Sequence, residues 1–118
     1  MNTRILYLAF PAFLLVSAAT LAADASAASG KIAFLSPANG ATVSSGDKVM
    51  VSYEATLGPK GDHLHLYLDD KRLDVLRQVK GTAEVGMLSP GKHRICLTIN
   101  TSSHASTGVE ECLEVTAK

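Results

Sequence analysis

The stretch Lys48-Val-Met-Val-Ser-Tyr-Glu-Ala55 decides the fold class. Val49, Val51, Tyr53 and Ala55 alternate with Met50, Ser52 and Glu54, a period of two that belongs to a β-strand with one face on a core. A helix would need apolar residues three and four apart, and this stretch does not supply them. Beyond a loop at Gly58-Pro59, Asp62-His-Leu-His-Leu-Tyr-Leu-Asp69 repeats the pattern. Leu64, Leu66 and Leu68 share one face of that strand, and His63, His65 and Tyr67 share the other.

The same texture continues in both directions. Toward the N-terminus, Lys31–Leu35 is a first strand, Ser36-Pro-Ala-Asn-Gly40 a turn with Asn39-Gly40 suited to positive φ, and Ala41–Val43 a short edge segment. Toward the C-terminus, Asp69–Arg72 turns the chain. Leu73–Val79 is a weaker strand whose residue order would also suit a helical turn. Thr82–Leu88 puts Ala83, Val85 and Met87 inward, and Arg94–Asn100 does the same with Ile95, Leu97 and Ile99. After a polar loop, Thr101–Gly108, the strand Val109–Thr116 sets Glu111, Leu113 and Val115 on one face. Seven to eight short strands at turn spacings of about ten residues predict an all-β, immunoglobulin-like Greek-key sandwich over residues 31–118. A barrel is the alternative that the pattern separates least well.

The first 30 residues read differently. Arg4 precedes an apolar run, Ile5–Val16, and then a small, Ala-rich stretch, Ser17–Ser29. These are the three regions of a secretory signal. Cleavage after Ala22, Ala23 or Ala25 is compatible, and Ala23-Asp24-Ala25 fits the A-x-A rule best. The signal is taken as residues 1–25, with 26–30 a flexible leader. A membrane anchor would need about 20 apolar residues, more than this run holds. The expected product is periplasmic or secreted.

Lys and Arg number 11, Asp and Glu also 11, and neither sign forms a long run. Trp is absent. Charge steering toward nucleic acid or an anionic membrane, and stacking platforms for bases, are therefore not expected. No G-x-S-x-G, H-E-x-x-H, C-x-x-C or phosphate loop is present, so no enzyme is predicted.

Cys96 and Cys112 are the two cysteines, and in an exported chain they read first as a disulfide. Their midpoint is His104, in the loop between the last two strands. Residues equidistant from the turn of an antiparallel hairpin face each other, and parity sends both cysteines to the outer face. Free thiols or a metal pair are the alternatives.

His63 and His65 form an H-x-H on one strand face. In such a sandwich this strand pairs antiparallel with the penultimate one, so its start lies at the same end as the loop carrying His104. His63, His65 and His104, with Asp62 beside them, are thus a candidate copper or zinc site, because neutral imidazoles suit both metals. The alternative is a set of solvent-facing or hydrogen-bonded histidines. His93, by parity with Ile95 and Leu97, is expected to bond backbone at its corner. Asp69-Asp70 could bind calcium but normally makes a solvated turn. Asn100-Thr101-Ser102 fits a glycosylation sequon.

Gly61-Asp-His-Leu-His-Leu-Tyr-Leu-Asp69, Leu88-Ser-Pro-Gly-Lys-His93 and His104 together resemble a group of exported bacterial immunoglobulin-like domains. These carry G-x-H-x-H-x-x-x-D, L-x-x-G-x-H and a loop histidine. The resemblance implies the fold and the compartment, and it picks out His63, His65, Asp69, His93 and His104. The opening strand and turn also resemble periplasmic copper-carrier sandwiches. Those are expected to use a histidine at the mature N-terminus, which none of the cleavage points here exposes. Two functions follow as expectations. One is a non-catalytic accessory or interaction module of the cell envelope with an envelope protein as partner. The other is a small copper- or zinc-binding protein using the histidine cluster.

Overall fold

A computed structural model describes residues 30–118 and, before them, Ala12 alone. Apart from Ala12, the expected signal lies outside the described residues, as does most of the leader. Eight strands follow in order: β1 Lys31–Ser36, β2 Ala41–Val43, β3 Lys48–Thr56, β4 His63–Leu68, β5 Lys71–Leu76, β6 Lys80–Met87, β7 Gly91–Asn100 and β8 Ser106–Ala117. They form a three-stranded sheet, β1-β3-β6, and a five-stranded sheet, β2-β8-β7-β4-β5. The described residues form an all-β, immunoglobulin-like sandwich.

The alternation in sequence becomes the core. Val49, Val51 and Tyr53 from β3 meet Leu64 and Leu66 from β4, Ile95, Leu97 and Ile99 from β7, and Leu113 and Val115 from β8. Leu64, Leu66, Ile95, Leu97 and Ile99 are fully buried. Each such side chain contributes about 1.5–3 kcal/mol over the exposed state. The first strand changes sheets at the Ser36–Gly40 turn. β1 pairs with β3, whereas β2 pairs parallel to β8. Gly40 takes positive φ there, and the Asn39 side chain accepts the Glu114 N–H at 2.8 Å.

Several details depart from the alternation. Met87, expected inward, is exposed, and Leu88 is buried in its place. Val49 pairs with Gly86 and Met50 with Glu84, so β6 holds one extra residue at Val85. A bulge of this kind shifts every later side chain to the opposite face, and Gly86 at φ 101° allows it. Glu111 is exposed, because it faces the gap where β8 passes β1 beside Ile32 and Phe34. The weak segment is a strand, not a helical turn, and it spans Lys71–Leu76 because Asp69 and Asp70 take φ 49° and 68°. Two successive positive φ values make the tight hairpin turn that matches strand twist. Gly30, placed in the flexible leader, is buried at φ 97°, and a Cβ there would strike the Thr56 and Leu57 carbonyl oxygens.

Candidate metal centre

The site lies on the outer face of the five-stranded sheet, at one end. β4 pairs antiparallel with β7, with His63 opposite Asn100 and His65 opposite Thr98. Strand parity therefore points both imidazoles away from the apolar core. They are nevertheless only 1% and 2% exposed. The β7–β8 loop, Thr101–Ala105, folds across them and supplies His104.

That loop is shorter than the sequence suggests, because β8 begins at Ser106 and Asn100 pairs with Ser106. Thr101 and Ala105 close it through Thr101 N–H to the Ala105 carbonyl at 2.8 Å, and Ala105 N–H to Thr101 Oγ1 at 3.2 Å. His104 N–H returns to the Thr101 carbonyl at 2.9 Å, and His104 itself sits at φ 65°. Asn100 is buried, and its Nδ2 donates to the His104 carbonyl at 3.4 Å. Its Oδ1 accepts the Thr98 hydroxyl at 2.6 Å. A glycan on Asn100 would need that amide free and in solvent, so the structure overturns the sequon reading.

Below the loop, Cys96 and Cys112 face each other across β7 and β8 and are joined by a disulfide, as their symmetry about His104 predicts. Their sulfurs lie near Glu110, but a disulfide leaves no thiolate to bind an ion. On the other side, Gly61 brings the chain into β4. A Cβ on Gly61 would collide with the Leu57 carbonyl oxygen and with Ile99 Cγ2, so only glycine lets the strand start this close. Asp62 N–H then donates to the Asn100 carbonyl at 2.8 Å, tying β4 to the end of β7.

The three imidazoles converge on one point. His63 Nε2 lies 2.9 Å from His65 Nε2 and 3.1 Å from His104 Nδ1, and the last two are 3.2 Å apart. Their rings are tilted to one another rather than stacked, by 36°, 60° and 31°. These distances define a circle of about 1.8 Å radius. A metal at the usual bond length of about 2.0–2.1 Å would sit about 1 Å off the plane of the nitrogens.

Asp62 stands elsewhere than expected. Its Oδ2 accepts the His63 Nδ1–H at 2.8 Å, on the ring nitrogen that faces away from the cluster. Arg77 is 3.7 Å from the same oxygen. Asp62 is thus an outer partner that fixes the tautomer of His63, leaving the Nε2 lone pair for the centre. Tyr67 takes a similar position on His65, with its hydroxyl 3.4 Å from Nδ1. Sequence reasoning passed over Tyr67 as a contributor, although it is the next residue on the same strand face. Burial holds the His65 imidazole below the ordinary range, with the nearby His63, Arg72 and His104 charges acting in the same direction. Burial thus favours the neutral form of His65, which is the form a metal ligand takes.

His93 lies at the far end of the sandwich and belongs to a different device. Its Nδ1 is 2.6 Å from Asp69 Oδ2, and its Nε2 is 2.6 Å from the Ser89 carbonyl. Both partners can only accept, so both ring nitrogens carry hydrogens and the ring is an imidazolium. Ser89 Oγ is 3.5 Å away, but this histidine has no lone pair with which to activate it. The Asp–His–Ser grouping is a clamp and not a catalytic triad. Asp69 Oδ1 accepts the Arg94 N–H at 2.9 Å, and Asp70 lies 3.5 Å from Arg94 Nη1, so the acidic pair is engaged within the fold rather than arranged for calcium.

No protein-family model matches the chain, and no curated protein matches it. Among solved structures it is similar to a fibronectin(III)-like module of CbhA from Clostridium thermocellum. That match has a TM-score of 0.62 and 12% identity, covering 74% of this chain and 96% of the other. It is also similar to part of an engineered protein, at TM-score 0.53 and 20% identity, over 75% of this chain and 20% of that one. A lytic polysaccharide monooxygenase from Jonesia denitrificans matches at TM-score 0.49 and 17% identity, over 70% and 60% of the two chains. The first two likenesses speak to the sandwich fold alone.

Proposed function

We propose that this domain is an exported metal-binding module that holds copper or zinc through His63 Nε2, His65 Nε2 and His104 Nδ1. The observation that carries this reading is the convergence of those three nitrogens within 2.9–3.2 Å of one another. Three neutral imidazoles meeting at one point cannot all satisfy each other, since each nitrogen offers either one hydrogen or one lone pair. Two like groups, either two lone pairs or two N–H hydrogens, must then face each other, which costs free energy in a buried site. A cation accepts all three lone pairs at once. Imidazole ligands suit both metals, and the general order of divalent affinities puts Cu(II) above Zn(II).

Binding rather than catalysis is the proposed role. Two ligands come from one strand, β4, and the third from a loop stitched by hydrogen bonds, which pre-places them. The disulfide accords with an oxidising compartment, and so with the signal read at the N-terminus. Calorimetric titration of the purified domain with Cu(II) and with Zn(II), beside a His63→Ala/His65→Ala variant, tests the assignment. One equivalent should bind the wild type, and the variant should lose at least a hundredfold in affinity. Equal affinities for the two proteins would sink the ligand set.

A further inference from the structure

The hydrogen positions around the triad lead one step further, resting on the metal-binding reading above. The Asp62 carboxylate can only accept, so His63 carries its hydrogen on Nδ1 and presents a lone pair from Nε2. His65 has no such fixed partner. Its Nδ1 faces the Tyr67 hydroxyl, which can donate or accept. In the ion-free protein the shortest edge of the triangle, 2.9 Å between His63 Nε2 and His65 Nε2, is satisfied when His65 carries its hydrogen on Nε2. Its Nδ1 then accepts from Tyr67. A bound ion needs the Nε2 lone pair, so the hydrogen must move to Nδ1, and Tyr67 must turn from donor to acceptor.

We propose that Tyr67 is the positioning residue for His65, and that metal loading reverses the hydrogen bond between them. The net protonation of His65 does not change, because one neutral tautomer replaces the other. The released Tyr67 O–H turns toward an open polar groove of about 260 Å³ on the same sheet face, lined also by Asp70, Thr98, Ser106 and Glu110. Loading of the centre is thereby expressed at a second surface. Tyr67 plays for His65 the part that Asp62 plays for His63, except that a hydroxyl can serve both tautomers and a carboxylate only one.

Long-range proton–nitrogen NMR of the imidazole rings, with and without one equivalent of Zn(II), reads the tautomer directly. In the wild type, His65 should change from the Nε2–H form to the Nδ1–H form on loading, while His63 stays Nδ1–H throughout. Tyr67→Phe should weaken Zn(II) binding by about ten- to a hundredfold, the usual effect of losing an outer partner. The NMR comparison uses only the wild type, so it stands even if the variant folds poorly. If the wild type binds Zn(II) but His65 keeps Nδ1–H in both states, the inference fails. It fails too if folded Tyr67→Phe binds as tightly as wild type. A wild type that binds no Zn(II) would instead overturn the proposed function itself.

Discussion

His93 Nδ1 and Asp69 Oδ2 stand 2.6 Å apart, joining the β6–β7 corner to the tip of the β4–β5 hairpin. The Asp69 hydrogen bond, followed by the Ser89 carbonyl, raises the His93 ring above its ordinary range. Burial works against ionised Asp69, but the Arg94 N–H and His93 outweigh it and hold its carboxyl below the usual range. The signs differ. A raised His93 stabilises the fold fully below its unfolded value of about 6.5, and this contribution fades as pH rises through the higher folded value. A lowered Asp69 stabilises above about 3.9, and its contribution fades as pH falls through the folded value. The clamp is therefore strongest between about pH 4 and 6.5.

Buried His65 has the opposite sign to His93, since its lowered folded value makes stability fall as pH drops below about 6.5. The clamp is for that reason best read as a difference. The gap in urea midpoint between wild type and His93→Gln should widen as pH falls from 8 to 5. Multiplied by the m-value, the gap should correspond to roughly 1 kcal/mol at pH 5, discounted for the half-exposed carboxylate. A gap that stays constant over that range would show that the ion pair contributes nothing.

Gly61→Ala tests the entry to β4. The added methyl meets the Leu57 carbonyl oxygen, which is backbone and cannot swing aside, and Ile99 Cγ2 in the core. The domain should lose about 1–3 kcal/mol, as overpacked sites do. Because Asp62 and His63 follow directly, metal affinity should drop more than stability alone would require. Wild-type stability in Gly61→Ala, measured by thermal melting, would show that the strand start is less constrained than its contacts imply.

Much of this was legible in the chain. Alternation gave the strands, and the equidistance of Cys96 and Cys112 from His104 gave the hairpin and its disulfide. Pairing of β4 with β7 then brought His63, His65 and His104 to one end. What escaped the sequence has local causes. The Val85–Gly86 bulge inserts one residue and sends Met87 outward, and a period-of-two reading has no way to register it. The burial of His63 and His65 depends on a five-residue loop whose shape is set by Thr101, Asn100 and a positive φ at His104. Asp62 reads from the sequence as a ligand because proximity along the chain does not say which nitrogen of His63 it will meet.

The disulfide offers a third prediction. It closes a loop of fifteen intervening residues, for which chain entropy gives about 3 kcal/mol. Cys96→Ser/Cys112→Ser should lower the unfolding free energy, read from denaturant titration, by that order. It should also weaken metal binding, because the same hairpin carries His104 to the β4 pair. Thermal melting and Zn(II) titration on one preparation separate the two effects. Unchanged affinity in a destabilised variant would mean that the hydrogen bonds of the Thr101–Ala105 loop hold His104 without help from the bridge.

The last prediction uses the ion as a stabiliser. A ligand that binds the native state alone adds RT ln(1 + [L]/Kd), about 2.7 kcal/mol at a hundredfold excess over Kd. For a domain of about 90 residues, 1 kcal/mol moves the melting temperature by about 4–8 °C, so saturating Zn(II) should raise it by roughly 10–20 °C. Chelator should reverse the shift. His104→Ala removes the one ligand that comes from the loop, while His63 and His65 stay on their strand. Its ion-free melting temperature should stay close to wild type, because the histidine is exposed. The Zn(II)-induced shift should shrink by more than half. A full shift in this variant would show that the metal binds without His104, and that the third ligand lies elsewhere.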